Sequence, residues 1–297
     1  ALAGAYLADD AVAAIFGEDR TPIIAGQYAP RHEATPTSDG YAISGRWSFA
    51  SGSRYASWFM CGFRVSGAQG SAGPPEVRMA FLPRGEVELV DNWQVIGLQG
   101  TASCDYLVPG AVVPRGFTFD QRDLQPGRGG AAYRMPSLGT LFVPFHAGMA
   151  LGTARRALNE ITRLAAEKRR SVGPSVAERG AFQQRLGRTE AQLRAARLFV
   201  FDAVEEIWRA VSAGDRPSLE QRAMARLAAA HATDVAAAAI TTAYRFAAGT
   251  AIYLSNPLQR CLRDIHTVTQ HIAVADEIYE MAAQVLLGVD SKQHAFV

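Results

Sequence analysis

Three hydrophobic periods follow one another along the chain. Over Ala1 to Gly17, Leu7, Val12, Ile15 and Phe16 fall loosely at helical spacing and Gly17 is a natural stop, which predicts one helix. From Thr21 to about Phe119 β-branched and aromatic residues prevail. The breaks at Asp39-Gly40, Ser44-Gly45, Pro83-Arg84-Gly85 and Pro109-Gly110 are turn chemistry between short antiparallel strands. The strands expected are Tyr41 to Phe49, Trp58 to Val65, Val77 to Leu82, Val87 to Trp93 and Tyr106 to Val113. Their even spacing predicts a barrel or sandwich. Gln121 to Gly130, polar and rich in breakers, is the expected domain boundary or mobile loop.

After Pro144 the period becomes helical. Ala150, Leu151, Ala154, Leu158, Ile161 and Leu164 form one stripe, with Arg155, Arg156, Glu160, Arg163 and Glu167 on the other side. Phe182, Leu186, Leu193, Ala196, Val200, Val204, Ile207 and Val211 form a second. Asp215 with Pro217 is expected to cap a third, whose alanine-rich course from Ala223 to Ala248 suits close packing or a subunit interface. Asn256 as N-cap and Pro257 at the first helical position open a fourth, which continues to Leu287. The fold class is therefore α+β, a β-domain followed by an up-and-down four-helix bundle. The boundaries fall at 1–20, 21–130 and 131–297, the first being the last helix of an N-terminal helical domain largely absent here.

Composition changes this picture little. The chain has 297 residues, 48% apolar and 20% charged, and its +2 charge comes from 30 basic against 28 acidic residues. So even a balance argues against nucleic acid or a membrane surface as partner. Cys61, Cys104 and Cys261 lie far apart, with no disulfide framework and no metal-binding spacing, which fits a cytoplasmic protein. No run has the apolar length of a membrane span, and the acidic N-terminal region lacks the form of a signal peptide. An opening Ala1 where a methionine would stand points to a processed or trimmed chain. The candidate chemistry gathers on the fourth helix, where Arg260, Arg263 and Asp264 supply charge. His266 and His271 at its end make a plausible proton-handling pair.

Gly40-Tyr-Ala-Ile-Ser-Gly-Arg-Trp-Ser-Phe-Ala-Ser-Gly52 with Ala56-Ser-Trp-Phe59 resembles the middle-domain signature of the acyl-CoA dehydrogenase superfamily. Asp91 to Asp105 resembles its second β-domain motif, and Pro257 to His271 with Tyr279 to Gly288 its C-terminal bundle. The three blocks come in family order and cover nearly the whole chain. The resemblance implies a flavin bound between β-domain and bundle. In the dehydrogenases a glutamate near Gln270 to Ile272 removes the substrate proton, and here that stretch offers His271 instead. This resembles the branch of flavin-dependent monooxygenases, which take reduced flavin, FMN or FAD, from a separate reductase and activate oxygen on it.

In that branch the matching histidine, His271, lies at the junction of flavin and substrate, and the matching serine, Ser51, beside flavin N5. Trp47, Phe49, Ala50, Gly52 and Ser103 are the further cofactor contacts implied, with Trp58 in the apolar lining. Arg169 and Gly249 match a basic residue and a glycine turn that reach the cofactor from a neighbouring subunit of a homotetramer. Ala247-Ala248-Gly249 lacks the family's double glycine, and Gln99 replaces a common arginine. The expected activity is hydroxylation of an aromatic or other electron-rich small molecule. An acyl-CoA dehydrogenase with Glu277 or Glu280 as a relocated base is the alternative, and a flavin-free scaffold the third reading.

Overall fold

The computed structural model describes residues 2–18, 21–67, 76–134, 138–167 and 174–289. The chain divides into two compact units, Ala1–Val95 with Gln99–Arg134, and Ile96–Leu98 with Met135–Val297.

The first unit holds α1 (Asp9–Phe16) and seven strands: β1 (Ile24–Pro36), β2 (Gly40–Ala50), β3 (Trp58–Val65), β4 (Val77–Pro83), β5 (Glu88–Val90), β6 (Cys104–Pro114) and β7 (Thr118–Asp120). Their order is β5-β6-β2-β1-β3-β4-β7. All pairings are antiparallel except β1 with β3, a parallel pair that the turn pattern did not announce. Neither β1 nor β7 was foreseen. β1 carries two prolines and buries only Ala25 and Ala34, so its alternation is weak, and β7 is three residues long. β5 is shorter than expected because Asn92 leaves the ladder, its side-chain oxygen accepting the Asp105 N–H at 2.9 Å.

Alternation along β2 sends Tyr41, Ile43 and Trp47 inward, onto Phe59 and Phe63 of β3 and Tyr106 of β6. Two hydrogen bonds join these aromatics to the backbone of β3. The Trp47 indole N–H donates to the Gly62 carbonyl at 3.0 Å, and the Tyr106 hydroxyl to the Met60 carbonyl at 2.6 Å. The absence of a side chain at Gly45 (φ 148°) makes this possible: a Cβ there would lie 2.7 Å from the ring of His32, which packs edge-on to Trp47. On a separate face, Leu7, Ala11 and Ile15 from α1 and the turn before it meet Met79, Phe81 and Phe119. Gln121 to Gly130 is tied to the same unit: Gln121 donates to the Tyr28 carbonyl, Gly127 to that of Ala5, and Arg128 to those of Gly4 and Leu7.

The second unit is helical: α2 (Leu138–Glu167), α3 (Gly180–Ala213), α4 (Leu219–Ala247), α5 (Pro257–Val268) and α6 (Glu277–Leu286). All four others pack on α4, whose buried face is mostly alanine. α4 starts at a capping box of Ser218 and Gln221 rather than at Asp215 and Pro217, because only Ser218 can accept the Gln221 N–H. α5 begins as expected, with the Asn256 side chain accepting the Leu258 N–H at 2.9 Å. The fourth helix is not continuous: a turn over 269–276 separates α5 from α6, and the Tyr279 hydroxyl then docks on Asp234 of α4 at 2.6 Å. Between α2 and α3, Arg155 clasps Glu190 with both arms, at 2.8 and 3.0 Å. Leu219–Ile252 is long and apolar enough to cross a membrane by length and composition alone. Its alanines are the core of the bundle.

Trp47→Ala should destabilise the first unit by roughly 3–5 kcal/mol, since it opens a cavity and strands the Gly62 carbonyl. A urea denaturation curve whose midpoint did not move would refute that packing.

Candidate functional site

In the first unit the function-capable groups gather where β2 ends. Register against β6 shifts between Trp47 and Ala50, and Phe49 takes φ 61°. A bulky side chain holds that left-handed conformation only when its surroundings enforce it. The consequence is a ring turned outward: Phe49 is 63% exposed and meets Trp93 edge-on at 6.2 Å. Behind it the turn is tied to the one before β6. Gly52 donates to the Thr101 carbonyl and the Ser53 hydroxyl to the Ala102 carbonyl, each at 2.6 Å.

These ties align three hydroxyls. Ser51 Oγ lies 2.8 Å from Ser103 Oγ, which lies 2.7 Å from Thr101 Oγ1, and either atom of each pair can donate. Ser103 is buried and Ser51 exposed, so the row ends at the surface and can present there a proton or a lone pair. Ser51, Ser103 and Phe49 are thus brought together around Ala50 and Gly52. Trp47 is not: its indole is fully buried in the core with its N–H engaged, so it has no ring surface for a ligand. Trp58 stacks on Phe117 at 5.9 Å, with the cluster that holds α1.

In the second unit the imidazole pairing differs from the one expected. His271, in the turn after α5, stands against His146 of α2, ring centroids 4.5 Å apart. His266 belongs elsewhere, its Nε2 3.4 Å from Thr241 Oγ1. Burial lowers the pKa of His146 to about 4, helped by His271 and by the Arg226 guanidinium. The His271 pKa is lowered too, by partial burial, although its ring keeps a solvent-facing side. Both rings are therefore neutral near pH 7. Nδ1 of His271 accepts the Ala273 N–H at 3.1 Å.

Sequence reading missed His146, Thr101 and Arg226. The one local sign of His146 is an isolated polar ring in the apolar run Leu141 to Phe145. Beside α5, Ile96–Leu98 belong to the helical unit: Asp264 accepts the Leu98 N–H at 2.7 Å and Arg263 donates to the Ile96 carbonyl at 2.6 Å. Glu277 and Glu280 are exposed on the first turn of α6, and Glu280 accepts from Gln284 at 2.9 Å. Gly249 is exposed in the 3-10 turn Ala248–Ile252. Arg169 lies outside the described residues.

The model of the acyl-CoA dehydrogenase C-terminal domain matches residues 145–276. An indole-3-acetate monooxygenase from Pseudomonas putida is 33% identical over 94% of this chain and 71% of its own length. The oxygenase component of an FADH2-dependent resorcinol hydroxylase from Rhizobium sp. is 27% identical, covering 97% of this chain and 74% of its own. The crystal structure of the HsaA monooxygenase from M. tuberculosis superposes with a TM-score of 0.87 at 26% identity, over 99% of this chain and 76% of that one.

The histidine pair makes a signed pH prediction. An unfolded histidine binds a proton below about pH 6.5, whereas these two resist it when folded, so acidification favours the unfolded chain. Stability should fall as pH drops from about 6.5 toward about 4, where His146 protonates in place, and the pair should contribute nothing above that window. His146→Asn should flatten part of this slope in urea midpoints measured across the same range. An unchanged slope would mean that the pair is not held neutral.

Proposed function

The chain belongs to the flavin-dependent monooxygenases of the acyl-CoA dehydrogenase superfamily, and from that membership we propose that it is an oxygenase component acting on an aromatic or other electron-rich small molecule. A separate flavin reductase supplies its reduced flavin. The net reaction takes reduced flavin, O2 and a substrate C–H to oxidised flavin, a substrate C–OH and water. When bound, the flavin supplies the two electrons that activate oxygen. The observation that carries the reading is the neutral pair of His146 and His271, with no carboxylate among the groups that shift either ring. A dehydrogenase of this fold requires a carboxylate base there.

The donor set at the end of β2 fits a flavin ring, which has an apolar face and a polar nitrogen edge. Phe49 offers an exposed ring, and Ser51 offers a hydroxyl whose direction its neighbours can reverse. Ala50, Gly52 and Ser103 complete that cradle, and Ser103 positions Ser51. The packed apolar groups behind the turn exclude water, which would otherwise consume the activated oxygen unproductively. His271 serves the reacting oxygen or the substrate through its ring nitrogen. Arg169 and Gly249 are proposed to reach the cofactor's phosphates from a second subunit.

A homotetramer is supported by apolar side chains left bare on the helical unit. Leu198, Phe201 and Trp208 share one face of α3, and Ile252, Tyr253 and Leu254 stand together after α4. The three free, buried cysteines fit a reducing compartment, and the cytoplasm is the proposed location.

Mixing reduced FMN or FAD with oxygen in a stopped-flow spectrometer should give a protein-dependent delay before oxidised flavin appears, and oxidation at the rate of free flavin would count against the assignment. His271→Ala should lower hydroxylation by roughly a hundredfold or more with flavin binding retained. Ser51→Ala should divert oxygen to hydrogen peroxide, raising its share by about tenfold. Light scattering should report four chains, and Phe201→Asp a smaller species.

A further inference from the structure

The turn after α5 decides which nitrogen of His271 carries the proton. Nδ1 accepts the Ala273 N–H, and a nitrogen that accepts a hydrogen bond holds no proton of its own, so the neutral ring is protonated at Nε2. The donor cannot swing away, because its turn is held on both sides. His271 N–H donates to the Val268 carbonyl and Val274 N–H to the His271 carbonyl, each at 2.9 Å. A second proton on the ring would have to go to Nδ1, pointing at the N–H that already occupies it.

Burial opposes that proton as well. From α2 the His146 ring, its centroid 4.5 Å away, covers part of His271, and from α4 the buried Arg226 guanidinium acts on His146. Among the described residues no carboxylate is among the groups that shift either ring. Asp264 of α5 is turned to the Leu98 N–H, and Glu280 of α6 to Gln284.

We propose that His271 is a locked hydrogen-bond donor, presenting Nε2–H to the substrate or the reacting oxygen and taking no proton, with His146 as the positioning residue that keeps it so. This rests on the oxygenase reading for its context and restricts the substrate. A site without a base hydroxylates an arene that is electron-rich without ionising, of which an indole ring is the type, in preference to a simple phenol that must first become phenolate. The donor steadies the oxygen that leaves as hydroxide, which becomes water by taking up the proton displaced from the substrate carbon.

Long-range proton–nitrogen spectra of the 15N-histidine-labelled chain test the lock without flavin, with His271→Gln identifying the signal. A pyridine-type Nδ1 and a pyrrole-type Nε2 near pH 7, persisting below the ordinary imidazole range, are expected. A proton on Nδ1, or an imidazolium near neutrality, would overturn it. In His146→Asn the His271 titration should move upward toward the ordinary range, and an unmoved titration would remove His146 from the proposal. With indole as the probe, His271→Gln, which keeps an N–H near the Nε2 position, should stay within roughly tenfold of the native rate while His271→Ala loses about a hundredfold or more. Equal losses, or phenol hydroxylated as fast as indole near neutral pH, would mean a base. A native chain that failed to react with reduced flavin and oxygen would count against the oxygenase reading and leave the tautomer result standing.

Discussion

The helical unit depends on how little space α4 takes up. Four helices pack on it, and most of its buried positions, among them Ala225, Ala228, Ala229, Ala232, Ala236 and Ala243, carry one carbon each. Helix axes can approach closely only over such side chains, and alanine loses no rotamer freedom when buried. The few larger groups on α4 are correspondingly specific. Asp234 receives the Tyr279 hydroxyl of α6, Thr241 meets His266 beyond the middle of α5, and Arg226 bears on His146 of α2. Close packing on a featureless stripe thus leaves a handful of polar positions to set which neighbour faces which.

In the β unit the governing constraint is a strand that stops alternating. β2 buries Tyr41, Ile43 and Trp47 in a regular sequence, then shifts register before Ala50 and turns Phe49 outward at φ 61°. Ala102, in the facing turn, has φ 44°, so both turns hold residues in a conformation that glycine would adopt more readily. Such strain persists because the Gly52, Ser53 and Ser103 hydrogen bonds over-determine the backbone. It produces an exposed aromatic ring next to an exposed hydroxyl, which regular β structure would not place side by side.

Some of the candidate site is legible in the residues and some is not. Ser51 and His271 could be proposed as candidates because each stands in a motif whose neighbours are contiguous in the chain. His146 could not, because its distance from His271 exists only once α2 and the turn after α5 have packed in the same bundle. Trp47 shows the opposite failure. An aromatic in an alternating strand reads equally as core or as lining, and only the cross-strand register with Tyr106 puts it inside. The same holds for His266, whose spacing to His271 suggested a partnership that the helix turn directs toward Thr241 instead.

The order of residues by itself determined the local matters: the change of period from strand to helix and the start of α5 at Asn256-Pro257. These depend on neighbours a few positions away, where propensity and capping act. Tertiary structure alone decided the parallel pairing of β1 with β3, the row of hydroxyls from Thr101 to Ser51, and the histidine pair. Each of these is a meeting of segments far apart in the chain, set by which apolar faces could be buried together, and no local preference encodes it.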